Sequence, residues 1–430
     1  MSRTVALDCI ESGIAAADPE RALRRLQLET ETDRLLVDAD SSIDLSRFDR
    51  IVVAGGGKAS VAVARGLETL LGSRIDEGVV VSDTPPNAAL DHIEVSVGDH
   101  PVPSKHGIDG TNRVRSLLED ATEQTLVLAP ITGGASALLV GPVDGVSLDD
   151  LQATTTALLE SGASIDEINA VRKRLSDVKG GGLAQLAAPA TVLALLVSDV
   201  VGDDLATIAS GPFTPDPTTN ADARSVIDRH SIDAPDSVRT HLEQDSEQKR
   251  VTTATSTAFE HVQTTMLVTN RTAVDAAAET AREHGYRPLV LSTSMRGEAS
   301  EIALSHIACV EESLSSGDPV EPPAVILSGG EATVTVTGDG QGGPNIEFAL
   351  AAAIDLPDGV YLASVDTDGR DGSTDAAGAV VDADTIDDQA LARNALADND
   401  AYSYLQSREA LVSLESTTNV NDLRAFVIDA

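Results

Sequence analysis

The fold class this sequence predicts is α/β in two domains: an N-terminal doubly wound parallel sheet and a smaller C-terminal α/β domain. Three observations predict it. The chain has 430 residues, above the ~250–300 at which a single hydrophobic core stops growing. Short β-branched runs alternate with helical stretches, the pattern of strands joined by crossover helices. Composition then changes in mid-chain, where 211–219 (GPFTPDPTT) is proline-rich and 228–257 is polar and charged. The boundary is placed after residue 245, giving domains 1–245 and 246–430 and leaving the extreme C-terminus able to pack back on the first.

Each element follows in order. Ile51, Val52 and Val53 make 50–54 a strand, and 58–71 reads as the helix behind it. Residues 78–82 and 125–129 are further strands, followed by loops at 83–87 and 130–134. A helix is expected at 164–175 and a buried strand at 191–197. The second series has a strand at 264–268, a helix at 273–283 and a strand at 288–291. Strands at 324–327 and 333–337 flank Ser328-Gly329-Gly330-Glu331, 347–353 is helical, and 360–364 is the last clear buried strand.

Composition excludes several classes of function. Apolar residues make up 42 % of the chain, enough for buried cores and too many for wholesale disorder. The longest apolar runs fall well short of the ~18 residues of a membrane span. Asp8 and Glu11 stand where a signal peptide carries its apolar core, and Cys9 and Cys309 are too few for a disulfide framework. The expectation is a reduced, cytoplasmic protein. Thirty basic against 69 acidic residues leave a net charge of −39, which repels phosphate backbones and anionic membranes, so neither nucleic acid nor lipid is an expected partner. The acids are spread through globular sequence, as suits a surface adapted to molar salt, where the Debye length is only about 3 Å. Lysine has nearly vanished: only Lys58, Lys105, Lys173, Lys179 and Lys249 remain. A lysine kept on such a surface has a specific task.

Four stretches carry candidate chemistry. Gly55-Gly56-Gly57-Lys58-Ala59-Ser60 joins a strand to a helix, an arrangement suited to an anion because glycines admit close approach and a helix start offers N–H groups. It lacks the first glycine of a Walker A loop and nearly matches G-x-G-x-x-G, so dinucleotide binding stays open. Thr132-Gly133-Gly134-Ala135-Ser136 repeats the same physics after a second strand. Asn169, Arg172 or Lys173, Ser176 and Lys179 recur at helical spacing, a concentration of cations that suits a polyanion. Asp199, after the strand ending at Val197, is placed where α/β proteins hold ligands and is a candidate base or Mg²⁺ ligand, with Asp203 nearby in sequence. Asp366-Thr367-Asp368-Gly369-Arg370-Asp371-Gly372 resembles a calcium loop but fails the EF-hand spacing. The eight histidines show no catalytic zinc spacing, and no G-x-S-x-G elbow occurs.

Taken in order, these motifs resemble the class II glycerate kinases, which join an N-terminal glycerate-kinase domain to a C-terminal domain named for its M-O-F-R-L signature. The resemblance runs nearly end to end: 15–22, Gly55–Ser60, Gly98-Asp99-His100-Pro101-Val102-Pro103, 168–183, 198–212, 327–337, 366–382 and Thr418-Asn419-Val420-Asn421-Asp422-Leu423. It implies a Rossmann-like first domain, a cleft between domains as the active site, and phosphate transfer from ATP with Mg²⁺ to D-glycerate, generally at the 2-hydroxyl. The family's G-x-G-R-G-G-R-N-Q-E reads here Gly338-Asp339-Gly340-Gln341-Gly342-Gly343-Pro344-Asn345-Ile346-Glu347. Both arginines are missing, and Arg296 or Arg370 is the expected substitute cation.

The resulting assignment gives Lys58 and Asp199 to catalysis. Gly56, Gly57, Gly133, Gly134, Ser136, Asn169, Arg172, Lys179, Arg296, Asn345 and Asp366 go to substrate or phosphate, and Asp199 with Asp203 to Mg²⁺. The expected partner is a small hydroxy acid, and the protein a monomer or homodimer. Two rivals stay open: a nicotinamide-dependent hydroxypyruvate reductase, and a non-catalytic nucleotide-binding protein.

Overall fold

The computed structural model describes residues 2–244 and 259–429. The chain forms two compact units, Leu23–Leu267 and Met1–Ala22 with Val268–Ala430. The boundary expected after residue 245 lies outside the described residues, as does Lys249. The units divide instead between Leu267 and Val268, and the first helix belongs with the C-terminal part.

In the first unit a small antiparallel sheet, β1 (Gln27–Glu29), β2 (Arg34–Leu36) and β3 (Ser42–Asp44), precedes the main one. The apolar runs read from sequence become β4 (Arg50–Gly56), β5 (Glu77–Ser82), β7 (Thr125–Thr132), β8 (Thr191–Val197) and β9 (Val262–Val268), and the structure adds β6 (Ile93–Val97), which the sequence reading missed. Their order is β6-β5-β4-β7-β8-β9, and the first five are parallel. Apart from its first residue β4 is buried throughout, and β7 wholly so, as strands covered by helices on both faces must be. Helices Ser60–Leu71 and Lys105–Glu119 follow β4 and β6. Strand order reverses between β4 and β7, and that switch point is where a doubly wound sheet opens a crevice at its C-terminal edge.

A second apolar cluster lies beside this sheet, built by helices Leu148–Glu160, Ile165–Arg174, Asn220–Arg229 and Asp236–Glu243 around Leu158, Ile168, Val226 and Val238. The helix Asn220–Arg229, capped by Thr219, runs into the polar stretch 228–257, and Asp236–Glu243 lies within it; a few inward apolar residues such as Val226, Ile232 and Val238 suffice to fold them. Strand β9, expected to begin the second domain, is an edge of the first sheet. Its half-exposed Gln263, Thr264 and Thr265 suit an edge, and composition alone does not say which sheet a strand joins.

The second unit contains β10 (Arg287–Glu298), β11 (Ala324–Thr333), β12 (Val360–Asp366), β13 (Gly378–Asp382), β14 (Leu411–Val412) and β15 (Asp422–Ile428), in the order β10-β11-β15-β12-β13-β14. The pair β10–β11 is parallel and the other pairings are antiparallel. Two expected strands at 324–327 and 333–337 are replaced by one, because β11 runs on through Gly329 and Gly330 to Thr333. Nor is β12 the last buried strand: β15 is buried along its whole length at the sheet's centre, so the C-terminus belongs to this unit. Helices Ser2–Ala16 and Asn270–Glu283 pack together, and Pro344–Ile354, with ten of its eleven residues buried, covers β12 and β13. No helix among the described residues is long and apolar enough to cross a membrane.

Candidate active site

At the switch point of the first sheet, two glycine segments lean on each other. The Lys58 N–H donates to the Gly133 carbonyl at 2.8 Å, and the Ala59 N–H to Thr132 Oγ1 at 3.1 Å. Gly57, at φ +126°, lies so close to Thr132 that a side chain would overlap its hydroxyl. The N–H groups of Gly57 and Ser60 go to Val81 and Gly57 carbonyls. All four amides from Gly57 to Ser60 therefore have protein acceptors, which corrects the expectation that this loop cradles an anion through its backbone. Gly55 and Gly57 let the end of β4 approach β7, Gly56 faces the Val81 carbonyl and Leu139, and what the segment presents is the exposed Lys58 side chain.

Around that side chain the first unit gathers the residues the spacing singled out. A Cβ on Gly134 (φ +79°) would lie 2.9 Å from Lys58 Cγ and 3.3 Å from His100 Cδ2, so Lys58 and His100 flank this glycine. A Cβ on the preceding Gly133 would lie 2.6 Å from Asp199 Cγ. Burial raises the Asp199 pKa, while the Lys58 charge pulls it back. Burial, Lys58 and Arg172 all hold His100 below the ordinary imidazole value, against a smaller opposing pull from Asp83. A carboxylate made more basic by burial, an imidazole held toward its neutral form and the Lys58 side chain thus converge on Gly133-Gly134.

Behind them, Ser136 Oγ lies 2.9 Å from Ser210 Oγ, and Ser210 donates to Asn169 Oδ1 at 2.9 Å. The basic segment divides in a way its spacing did not show. Helix Ile165–Arg174 ends before Ser176 and Lys179, so these do not share a helical face with Asn169. Arg174 pairs with the wholly buried Asp216, and Lys173 Nζ lies 3.7 Å from the same carboxylate. That leaves Arg172, whose guanidinium burial pulls below its usual pKa, and Lys179, buried with Nζ donating to the Leu139 carbonyl at 2.9 Å. Burial and Arg172 push Lys179 down to about 7.

In the second unit Asn345 has a task other than ligand contact. It is wholly buried, with Nδ2 donating to Asp422 at 2.6 Å and to Asp371 at 3.3 Å, and Oδ1 accepting from Ser364 at 2.8 Å. Asp371 caps the same helix through the Asn345 and Ile346 N–H groups, and buried Arg424 pairs with Asp422. Asp366 pairs with Asp422 across β12 and β15; burial, then Asp368, Asp422 and Asp371, push it up to about 8. Arg296 is exposed on β10 opposite Glu331, and Arg370 is exposed in the loop after β12. Asp203 sits in a left-handed turn (φ 55°) after β8. Among the described residues no group of three or more His, Cys, Asp or Glu is placed to hold a metal ion.

Sequence reasoning missed His100 and Ser210 as site members, and Asp371, Asp422 and Arg424 as the network behind Asn345. The signal for the first two was present in the stretches Gly98–Pro103 and 198–212, where sequence alone does not show which side chains turn toward Gly133-Gly134.

The geometry defines a doubly wound α/β protein that gathers cations and one basic carboxylate at its switch point, as an enzyme acting on anions does. A domain of unknown function, DUF4147, matches residues 5–243, and the MOFRL family matches 324–422. D-glycerate 2-kinase of Thermotoga maritima is 36 % identical over 429 residues, covering 98 % of this chain and 97 % of its own. A protein of Agrobacterium vitis provisionally named hydroxypyruvate reductase is 39 % identical over 388 residues, 88 % of this chain and 99 % of its own. A crystal structure of glycerate kinase from Thermotoga maritima has a TM-score of 0.87 at 37 % identity, covering 99 % of each chain. The chain belongs to the glycerate kinase family, with a MOFRL C-terminal domain.

Proposed function

We propose that this protein transfers the γ-phosphoryl group of ATP to the 2-hydroxyl of D-glycerate. One observation carries the reading: Lys58 and Asp199 meet at the adjacent glycines 133 and 134, at the crevice a doubly wound sheet forms. Phosphoryl transfer asks the protein for positioning and charge neutralisation more than for covalent chemistry. The Lys58 ammonium offsets charge on the transferring group, with Arg172 as a second cation. Asp199, its pKa raised by burial and its carboxylate against Gly133, is the group placed to accept the proton leaving the glycerate hydroxyl.

Mg²⁺ usually keeps several waters and takes one or two protein carboxylates beside substrate phosphates. Asp199, in the alternative role of ligand instead of base, fits that modest requirement, with Asp203 as the second candidate; the ion would neutralise the polyphosphate. Dinucleotide chemistry is disfavoured by the spent amides of Gly57–Ser60, which a pyrophosphate on this loop would need. The test is phosphorus NMR of the product formed from ATP, Mg²⁺ and D-glycerate. A new phosphate ester coupled to one carbon-bound proton supports the reading. An ester coupled to two protons moves the reaction to the 3-hydroxyl, and no ester removes the kinase.

A further inference from the structure

Three consecutive residues, Ala209 (φ 54°), Ser210 (φ 60°) and Gly211 (φ 62°), adopt left-handed backbone. Non-glycine residues visit this region singly and at a cost, and two of these three carry a Cβ. The run is held by hydrogen bonds from Gly180 N–H to the Ser210 carbonyl (3.0 Å) and from Gly181 N–H to the Gly211 carbonyl (2.8 Å). Its result is a wholly buried Ser210 side chain set between Ser136 and Asn169.

The direction of that chain of hydrogen bonds follows from proton counting. Asn169 Oδ1 can only accept, so the single Ser210 hydroxyl proton goes to it. Ser210 Oγ is then the acceptor in its contact with Ser136, and the Ser136 hydroxyl proton is donated to Ser210. Ser136 has no second proton. Its oxygen meets a ligand as an acceptor only, which does not suit a carboxylate or phosphate oxygen and does suit a hydroxyl.

We propose that Ser210 is a positioning residue that consumes the Ser136 proton internally, so that Ser136 accepts a hydrogen bond from the 2-hydroxyl of D-glycerate in the complex formed before phosphoryl transfer, that proton passing to Asp199 only as the hydroxyl attacks, and selects a hydroxy acid over the keto acid. The inference rests on D-glycerate as the substrate and names what recognises its hydroxyl. A site built for a hydroxyl leaves a carbonyl oxygen facing another acceptor, and such mismatches cost far more than a missing methylene.

The test measures dissociation constants of D-glycerate and hydroxypyruvate by calorimetry, with melting temperatures, for the wild type and three variants. Ser210→Ala frees the Ser136 proton, so the preference for D-glycerate over hydroxypyruvate should fall by roughly tenfold or more. Ser210→Gly removes the same hydroxyl but suits the backbone, so it should show the same altered preference and melt about 2–4 °C above Ser210→Ala. Ala209→Gly relaxes the backbone and keeps the relay; it should raise the melting temperature and leave the preference unchanged. A merely structural Ser210 would weaken both ligands equally, and an unchanged ratio in Ser210→Ala overturns the proposal. So does Ala209→Gly shifting the ratio as far as Ser210→Ala. Should the wild type prefer D-glycerate yet form no phosphate ester, the kinase reading fails while the relay stands.

Discussion

A methyl group added at Gly133 tests how Asp199, the proposed base, is held. Gly133 is not in the left-handed region, so alanine is compatible with its backbone, but the new Cβ would lie 2.6 Å from Asp199 Cγ. An ordinary carbon–carbon contact is about 3.5 Å or more, so the carboxylate must retreat by roughly 1 Å. Displacements of about 1 Å at a reacting group cost on the order of 10²-fold in rate, or about 2.7 kcal/mol of barrier. Little stability should be lost, because what must move is the end of a half-buried side chain after β8. The assay is steady-state ADP release, run with thermal denaturation on Gly133→Ala, Asp199→Asn and the double variant. If Gly133→Ala acts by moving Asp199, the double variant should be no slower than Asp199→Asn alone. Normal kcat in Gly133→Ala, or fully additive losses in the double variant, would refute the placement of Asp199 against this glycine.

Three further outcomes are expected. Lys58→Ala should lower kcat by ~10²–10³ with little change in melting temperature, and Lys58→Arg should rescue little, because a planar guanidinium cannot replace a compact ammonium; loss of stability with normal kcat would make Lys58 structural. In the second unit, an Asp366 pKa near 8 in the folded protein against about 3.9 unfolded means that the native state holds a proton the unfolded chain has lost. Asp366 therefore costs stability progressively as pH rises from about 4 to 8, so Asp366→Asn should melt higher than wild type at pH 8, with the gain gone near pH 4. With a net charge of −39, the melting temperature should climb between about 0.1 and 2 M KCl as acid–acid repulsion is screened, and a flat profile would contradict salt adaptation.

Periodicity and strand-end chemistry made much of this molecule legible. The apolar runs at 50–54, 78–82, 125–129 and 191–197 read as strands of a parallel sheet and form one, and the glycines and Asp199 after them were singled out by position alone. Three things were not legible. Edge strand β9 carries no mark of its sheet, since sheet membership is a long-range property. The central strand β15 was hidden by Asp422 and Arg424, polar in sequence and mutually paired when buried. Most instructive is Gly57–Ser60, where composition suggested a backbone anion cradle. Whether an amide is free depends on which strand end lies opposite, and the last residue of β7, Thr132, with Gly133 just after it, supplies acceptors for two of these four amides.

The measurement closest to the central claim is a paired turnover assay on one purified sample. ADP release is followed with D-glycerate, ATP and Mg²⁺, omitting each in turn, and NADH oxidation is followed separately with hydroxypyruvate. ADP formation that requires all three components, with no NADH oxidation, is the predicted result. NADH oxidation by hydroxypyruvate without ATP turnover would contradict it and return the Gly55–Ser60 loop to a dinucleotide.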